Sequence, residues 1–327
     1  MKSSTSKNRA SKNKPKKKAA VRGQFSGLKL PLGLKRADSI ALIRPAAKID
    51  KDKWEASIRD LRAAGFFVLT YPGNFREDTY FAASDEERAK EFDWAMGEPA
   101  VKAILCCRAG YGSMRMLAEI RSSQIKKWQP KIIMGYSDIT CLHAWIINQL
   151  KWPSFHGPLI GFLNASEISQ ALGSLMSLEG KTREEFWAEV EVLSEGEASG
   201  YLYGGNLSLI QTAGPAALPK KPMVLAIEDV NEDWYRLDRI VWSLIQAGYG
   251  DYVKGIIVGT MEACGKKDEE NFGVKKFQES LKVLSSGPIW WAGNFGHGLK
   301  VQRILALGLR VKMSNKKLLH YLEPAVR

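Results

Sequence analysis

Cysteine is scarce in this sequence, and its few copies do not pair. Cys106, Cys107, Cys141 and Cys264 are the only four among 327 residues, and no two stand at C-x-x-C spacing. That argues against a structural zinc site. With no export signal in view, the four are expected to be reduced thiols of a cytoplasmic protein. Metal-peptidase spacing is missing too, since none of the four histidines belongs to an H-E-x-x-H pattern. No run approaches the roughly 18 uncharged apolar residues of a membrane span, so membrane insertion is not expected. There is no G-x-x-x-x-G-K-[ST] phosphate loop and no internal repeat.

Acid is absent from the first 36 residues, which hold twelve Lys or Arg, while the whole chain carries a net charge of +13. The basicity is therefore a property of this tail, and the remaining residues are close to neutral. The tail lacks the apolar segment of a secretory signal, and its composition predicts disorder. Such a segment is a solvated extension, or a contact for anionic polymers. The rest, at 45% apolar and 25% charged residues over the whole chain, is globular in character. Its length suits about two domains.

The first half alternates strand and helix. The apolar runs SIALIRPA (39–46), FFVLTY (66–71), VKAILCC (101–107) and KIIM (131–134) read as buried strands. Between them, Trp54, Ile58 and Leu61 recur at helical spacing before Gly65, and Ser84 with Glu87 forms a capping box ahead of Phe92 and Met96. After KIIM, Ile139, Leu142, Ile146 and Leu150 make one apolar stripe. This pattern predicts an α/β fold: a doubly wound, mostly parallel sheet over 37–165. A polar, Glu-rich stretch at 166–199 reads as a linker, and 200–327 as a smaller mixed α/β domain.

Three loops stand out. In IIMGYSDIT a strand ends at Met134, turns through Gly135 and Tyr136, and puts Ser137 where a helix begins. That is the strand–turn–helix logic of a nucleophile elbow without its final glycine. The competing explanation is that Ser137 or Asp138 caps the helix. In CRAGYGS (107–113), Gly110 and Gly112 permit positive φ and close backbone approach, as an anion or oxyanion cradle requires. Short glycine loops also follow many strands without a ligand. Third, Glu228 ends the strand PMVLAIED, and His297 lies in the glycine-rich turn GNFGHG. A nucleophilic serine needs a base, and the base an orienting acceptor. Among the histidines, His143 sits near an apolar stripe and His320 in a terminal strand. His156 remains open, and His297 is favoured because its glycines let other groups approach.

Taken in order, RAGYGS, MGYSDIT, HGP, YGGNLSLI, AIEDV with YRLDRI, and FGHG resemble the LD-carboxypeptidases, which include murein tetrapeptide carboxypeptidases and microcin-immunity relatives. The resemblance spans about 38–325. It implies a serine peptidase with a Ser137–His297–Glu228 triad split between two domains, and an oxyanion hole of the Gly110 and Asp138 amides. Arg108, Tyr111 and Asn206, within the same motifs, are expected to contact substrate. The implied substrate is a muropeptide tetrapeptide, cut between the L-centre of a diamino acid and terminal D-Ala in peptidoglycan recycling. The alternative is a related amidase giving immunity to a peptidyl-nucleotide antibiotic. No metal or organic cofactor is implied, and the expected assembly is a cytoplasmic homodimer. One position departs from the family's R-G-G-Y-G: Ala109 stands where the second glycine falls, which is expected to narrow the site slightly or to shift the loop.

Overall fold

The computed structural model describes residues 27–73, 79–179, 182–214, 218–265 and 273–327. Its N-terminal layer runs β1 (Ser39–Ile43), α1 (Lys51–Ala63), β2 (Phe67–Leu69), α2 (Asp85–Gly97), β3 (Val101–Cys106), α3 (Ser113–Ala118), α4 (Ser122–Ile125), β4 (Ile132–Gly135), α5 (Ile139–Trp145) and β5 (Ser154–His156). The five strands lie in the order β2-β1-β3-β4-β5, every pair parallel. Alternate residues of the central strands face two separate cores. Ile40, Leu42 and Leu105 belong to one, and Ala41, Ile43 and Ile104 to the other. Burial on both faces is why these strands read as continuous apolar runs. Strand order reverses between β1 and β3, which opens a crevice beyond the carboxyl ends.

The capping box at Ser84 forms as expected, with Glu87 N–H bonded to Ser84 Oγ and Ser84 N–H to Glu87. The apolar stripe after Ser137 is buried throughout, but α5 passes into a π-helical turn over Ile146–Leu150.

The stretch 166–199 is not a linker. α6 (Ala165–Met176) starts at a capping box of Asn164 and Glu167 and buries Ile168, Leu172 and Leu175. β6 (Arg183–Phe186), β7 (Glu191–Ser194) and the first residues of β8 (Ala198–Asn206) are strands of a second sheet. The composition misled because β6 and β7 are edge strands, where exposed Glu184 and Glu191 discourage further pairing.

The chain continues through α7 (Leu207–Ala213), β9 (Met223–Val230), α8 (Trp234–Gln246), β10 (Val253–Glu262), α9 (Gly273–Leu284), β11 (Ile289–Trp291), β12 (Leu305–Leu307), β13 (Arg310–Ser314) and β14 (Leu318–Tyr321). The second sheet has the order β6-β14-β13-β8-β9-β10-β11-β7, parallel from β8 to β11 and antiparallel at both margins. Among the described residues, the C-terminal part, expected to be the smaller, thus carries the wider sheet, eight strands against six. β12 does not join it. It pairs antiparallel with β5 and becomes the sixth strand of the first sheet. One cluster of buried side chains runs from Ile40 and Met134 through Leu202 and Leu225 to Val258, so the two layers share a core. Among the described residues no helix is long and apolar enough to cross a membrane.

Most of the basic tail, residues 1–26, lies outside the described residues. Its last part does not match the expectation of disorder. Gly33 N–H donates to the Arg327 carbonyl and Arg327 N–H to Pro31, while Leu34 is buried. Deleting residues 1–26 is expected to leave kcat/KM and the melting temperature unchanged. Deletion through residue 36 also removes the buried Leu34, a loss worth about 2–5 kcal/mol. Differential scanning calorimetry of the two truncations checks this, and equal melting temperatures would refute it.

Candidate active site

Ser137 follows β4 at the crevice. Its φ of 64° is a left-handed value that few non-glycine residues adopt. Holding a side chain there costs on the order of 1–3 kcal/mol and is characteristic of functional turns. The capping explanation finds no support, because neither Ser137 nor Asp138 makes a side-chain cap bond to α5. Asp138 points elsewhere. Its carboxylate accepts from Ser113 N–H at 2.7 Å, and its carbonyl accepts from Ser113 Oγ at 2.6 Å. It therefore ties the start of α3, and with it the RAGYGS loop, to the turn carrying Ser137. Burial raises the pKa of Asp138, against the hydrogen bonds from Ser113.

The second layer supplies the partners. Glu228 is fully buried on β9, and its Oε2 accepts from His297 Nδ1 at 2.6 Å and from His297 N–H at 3.3 Å. On the other side of the ring, Nε2 lies 3.1 Å from Ser137 Oγ. The tautomer follows from the carboxylate: Nδ1 carries the proton, and the Nε2 lone pair faces the hydroxyl. Burial works against the charge on Glu228, but the neighbouring His156 and His297 outweigh it and bring its pKa down to about 2. His156 Nε2 stands 3.8 Å from Glu228 Oε1, on the far side of the carboxylate from His297. The turn is built to let the imidazole in. Gly296 has a φ of 106°, and a Cβ on it would come within 2.7 Å of Glu228 Cβ.

Gly110 adopts a φ of 99° and is exposed on the loop after β3. Among the described residues, the N–H groups of Gly110 and Asp138 have no acceptor. Ala109 is 1% exposed and packs in the core cluster with Met116 and Ile139, so its methyl is absorbed inside rather than narrowing the site. Arg108 donates to the Lys48 carbonyl at 2.6 Å, and the exposed Tyr111 ring leans on Phe81 at 5.8 Å. Both remain on the rim. A cavity of about 200 Å³ opens between Tyr136 and Gly298, with Leu159, Phe162 and Leu163 in its wall and Lys300 as its one charged lining residue among the described residues.

Asn206 is held by its own layer. It is buried, its Oδ1 caps α7 by accepting from Leu209 N–H, and its Nδ2 donates to Asp229. The YGGN motif serves the layer contact, where Asn206 N–H donates to Thr140 Oγ1 on α5.

Two residues take on supporting roles that no sequence pattern marks. Arg88 is fully buried and donates to the carbonyls of Pro45, Ala83 and Gly112, which braces the loops after β1 and β3. A single Arg in a Glu-rich helix shows no such signal. His143, read as packing, hydrogen-bonds Gly135 carbonyl at 2.9 Å and Ser154 Oγ at 2.6 Å, under the turn bearing Ser137. Burial lowers its pKa to about 3, so it stays neutral.

The cysteines take no part. Burial raises all four, with Cys107, Cys141 and Cys264 pushed up to about 12. A raised pKa disfavours the thiolate, so at about pH 8 all four stay as unreactive thiols. Iodoacetamide at that pH should leave the native protein unlabelled and its hydrolytic rate unchanged. Rapid labelling with loss of rate, read by intact-mass spectrometry, would contradict this.

A hydroxyl, an imidazole and a carboxylate at these separations, on a serine held at a sheet edge, are the working parts of a serine hydrolase. Comparison with known proteins makes the class specific. Residues 40–157 match the model of the LD-carboxypeptidase N-terminal domain, and 199–313 that of the C-terminal domain. The chain belongs to the LD-carboxypeptidase family and is a serine peptidase. It is 31% identical over 287 residues to a probable murein peptide carboxypeptidase of Bacillus subtilis, covering 85% of this chain and 89% of that one. It is 28% identical over 275 residues to the murein tetrapeptide carboxypeptidase of Pseudomonas aeruginosa, covering 79% and 88%. The fold is also that of the microcin C7 self-immunity protein, with a TM-score of 0.78 at 21% identity over 91% of this chain and 99% of that one.

Proposed function

We propose that the protein is a muropeptide LD-carboxypeptidase whose triad is Ser137, His297 and Glu228. The observation that carries this is the unbroken chain from Ser137 Oγ through His297 to Glu228, at 3.1 and 2.6 Å, in a member of this family. Ser137 Oγ attacks the amide carbonyl on the L-centre of a diamino acid, and its proton passes to His297 Nε2. The N–H groups of Gly110 and Asp138 receive the oxyanion. His297 then gives the proton to the departing nitrogen, and D-Ala leaves as the free amino acid. Water, deprotonated by His297, cleaves the ester, and the tripeptide is released with Ser137 restored. Glu228 stays ionised throughout and stabilises the imidazolium. Arg108, Tyr111 and the cavity with Lys300 flank the reacting bond and are assigned to peptide binding. Processing of tetrapeptides to tripeptides fits the relatives' names, and we assign it to a cytoplasmic homodimer.

Mass spectrometry of a muropeptide mixture incubated with the pure protein tests the proposal. Loss of one alanine from tetrapeptides, with pentapeptides and tripeptides untouched, is the expected result. Inert tetrapeptides, with cleavage of an aminoacyl sulfamoyl nucleoside instead, would replace this reading by antibiotic immunity.

A further inference from the structure

Glu228 uses only one of its oxygens on His297. The other, Oε1, is buried with no hydrogen-bond partner, and the group it faces is in the same condition. His156, the last residue of β5, is fully buried, and neither of its ring nitrogens has a partner. Its Nε2 stands 3.8 Å from Glu228 Oε1. Buried polar atoms are rarely left unpaired, and each costs about 1–3 kcal/mol when it is. Three such atoms gathered on the hidden side of an active-site carboxylate point to an interaction that matters there.

We propose that His156 is a positioning residue for the reaction: its Nε2–H is directed at Glu228 Oε1 and holds the carboxylate so that Oε2 stays on His297. This rests on the triad assignment above. Geometry fixes the imidazole from three sides. The Tyr136 ring lies 5.9 Å away, Phe295 meets it edge-on at 5.6 Å, and His143 stands at 6.4 Å. Backbone pairing with β4 places His156 opposite Gly135, two residues before Ser137, and β12 pairs with it through Leu305 on the other side. One residue thus touches the turn carrying the serine and the acid that orients the base. At 3.8 Å the contact is longer than a formed hydrogen bond, as active-site hydrogen bonds often are before substrate binds. As His297 becomes imidazolium, Glu228 is drawn toward it, and a donor on Oε1 keeps the carboxylate from rotating.

The other ionisable groups around this pair are accounted for. His143 has both nitrogens occupied and stays neutral. Asp229, next along β9, is engaged by Asn206 and Ser208 and has a raised pKa. Burial also raises Tyr136 and Cys264. Glu262 lies beyond Gly298, across the turn from Glu228. His156 is the group left to hold Oε1.

The test uses the full-length protein and three variants: His156→Gln, His156→Asn and His156→Leu. A glutamine amide reaches the place of Nε2, an asparagine amide falls short of it, and leucine has no donor. Melting temperatures identify the variants that fold. Among these, the Gln variant should keep kcat within a few-fold of wild type, and Asn and Leu should lose about tenfold or more, with KM unchanged. The acid limb of their kcat–pH profile should move to lower pH, because an imidazolium no longer faced by a fixed carboxylate loses its proton more readily. A role confined to packing would lower stability without moving that limb. Wild-type kcat and an unmoved acid limb in folded His156→Asn would overturn the proposal, as would equal losses in Asn and Gln. Ser137→Ala, assayed alongside, separates the two readings: a dead Ala variant beside unaffected His156 variants leaves the triad standing and removes only His156.

Discussion

Ser137→Ala is expected to abolish hydrolysis and leave the fold untouched. The hydroxyl is the group 3.1 Å from His297 Nε2, and it makes no capping bond whose loss would unravel α5. Alanine keeps the same backbone demand at φ 64°, so the turn is no more strained than before. Losing the nucleophile of such a constellation lowers kcat by on the order of 10⁴–10⁶. The remaining machinery, two free amides and a positioned imidazole, can still bind peptide, so the variant should retain affinity while turning nothing over. Single-turnover assays and calorimetric binding check both halves. A variant with more than about a tenth of the wild-type rate would strip Ser137 of its role and return it to the status of a strained turn residue.

Glu228→Gln should cost nearly as much, by a different route. Folding tolerates the change, because a neutral amide replaces a fully buried charge of similar shape. The chemistry does not. The carboxylate accepts from Nδ1–H and so leaves the Nε2 lone pair free for the serine proton. A glutamine that turns its NH₂ toward Nδ1 selects the opposite tautomer, with the proton on Nε2, where it blocks proton transfer from Ser137. Loss of the negative charge also removes the stabilisation of the imidazolium. Together these should lower kcat by about 10³–10⁴, with little change in KM or melting temperature. Steady-state kinetics with a thermal melt decide the matter. A large drop in melting temperature, with activity retained in the folded fraction, would mean that Glu228 serves stability instead.

Much of this site is legible in the chain because its parts are short and local. A buried run followed by Gly-Tyr-Ser and an amphipathic stripe can hardly be anything but strand, turn and helix, and that alone locates Ser137. Glycines on both sides of His297 report close approaches, which the structure shows to be those of Thr260 and Glu228 to Gly296 and of Glu262 to Gly298. What resists reading is whatever depends on a contact distant in sequence. Asn206 sits in a motif that looks like a site, and nothing local announces that its amide also caps α7 and bonds Asp229. His156 gives no periodic or spacing signal, because its meaning comes from a carboxylate on another sheet. The Glu-rich stretch 166–199 resembles a tether for a similar reason. Charge on an edge strand and charge on a loop look alike until the pairing partner is known, and here that partner, β14 for β6, comes more than a hundred residues later.

The migration of β12 has a consequence for how the protein is made. Residues 305–307 complete a sheet whose other strands are finished by residue 156. During synthesis the β5 edge therefore stays unpaired until residues 305–307 have been made. An open parallel edge is a template for association with other chains, and closure over such a sequence separation is slow. The nascent chain thus passes through a long interval in which the serine turn exists while neither its base nor its sheet is complete. Order along the chain therefore separates the serine from both its base, His297, and the strand that closes its sheet.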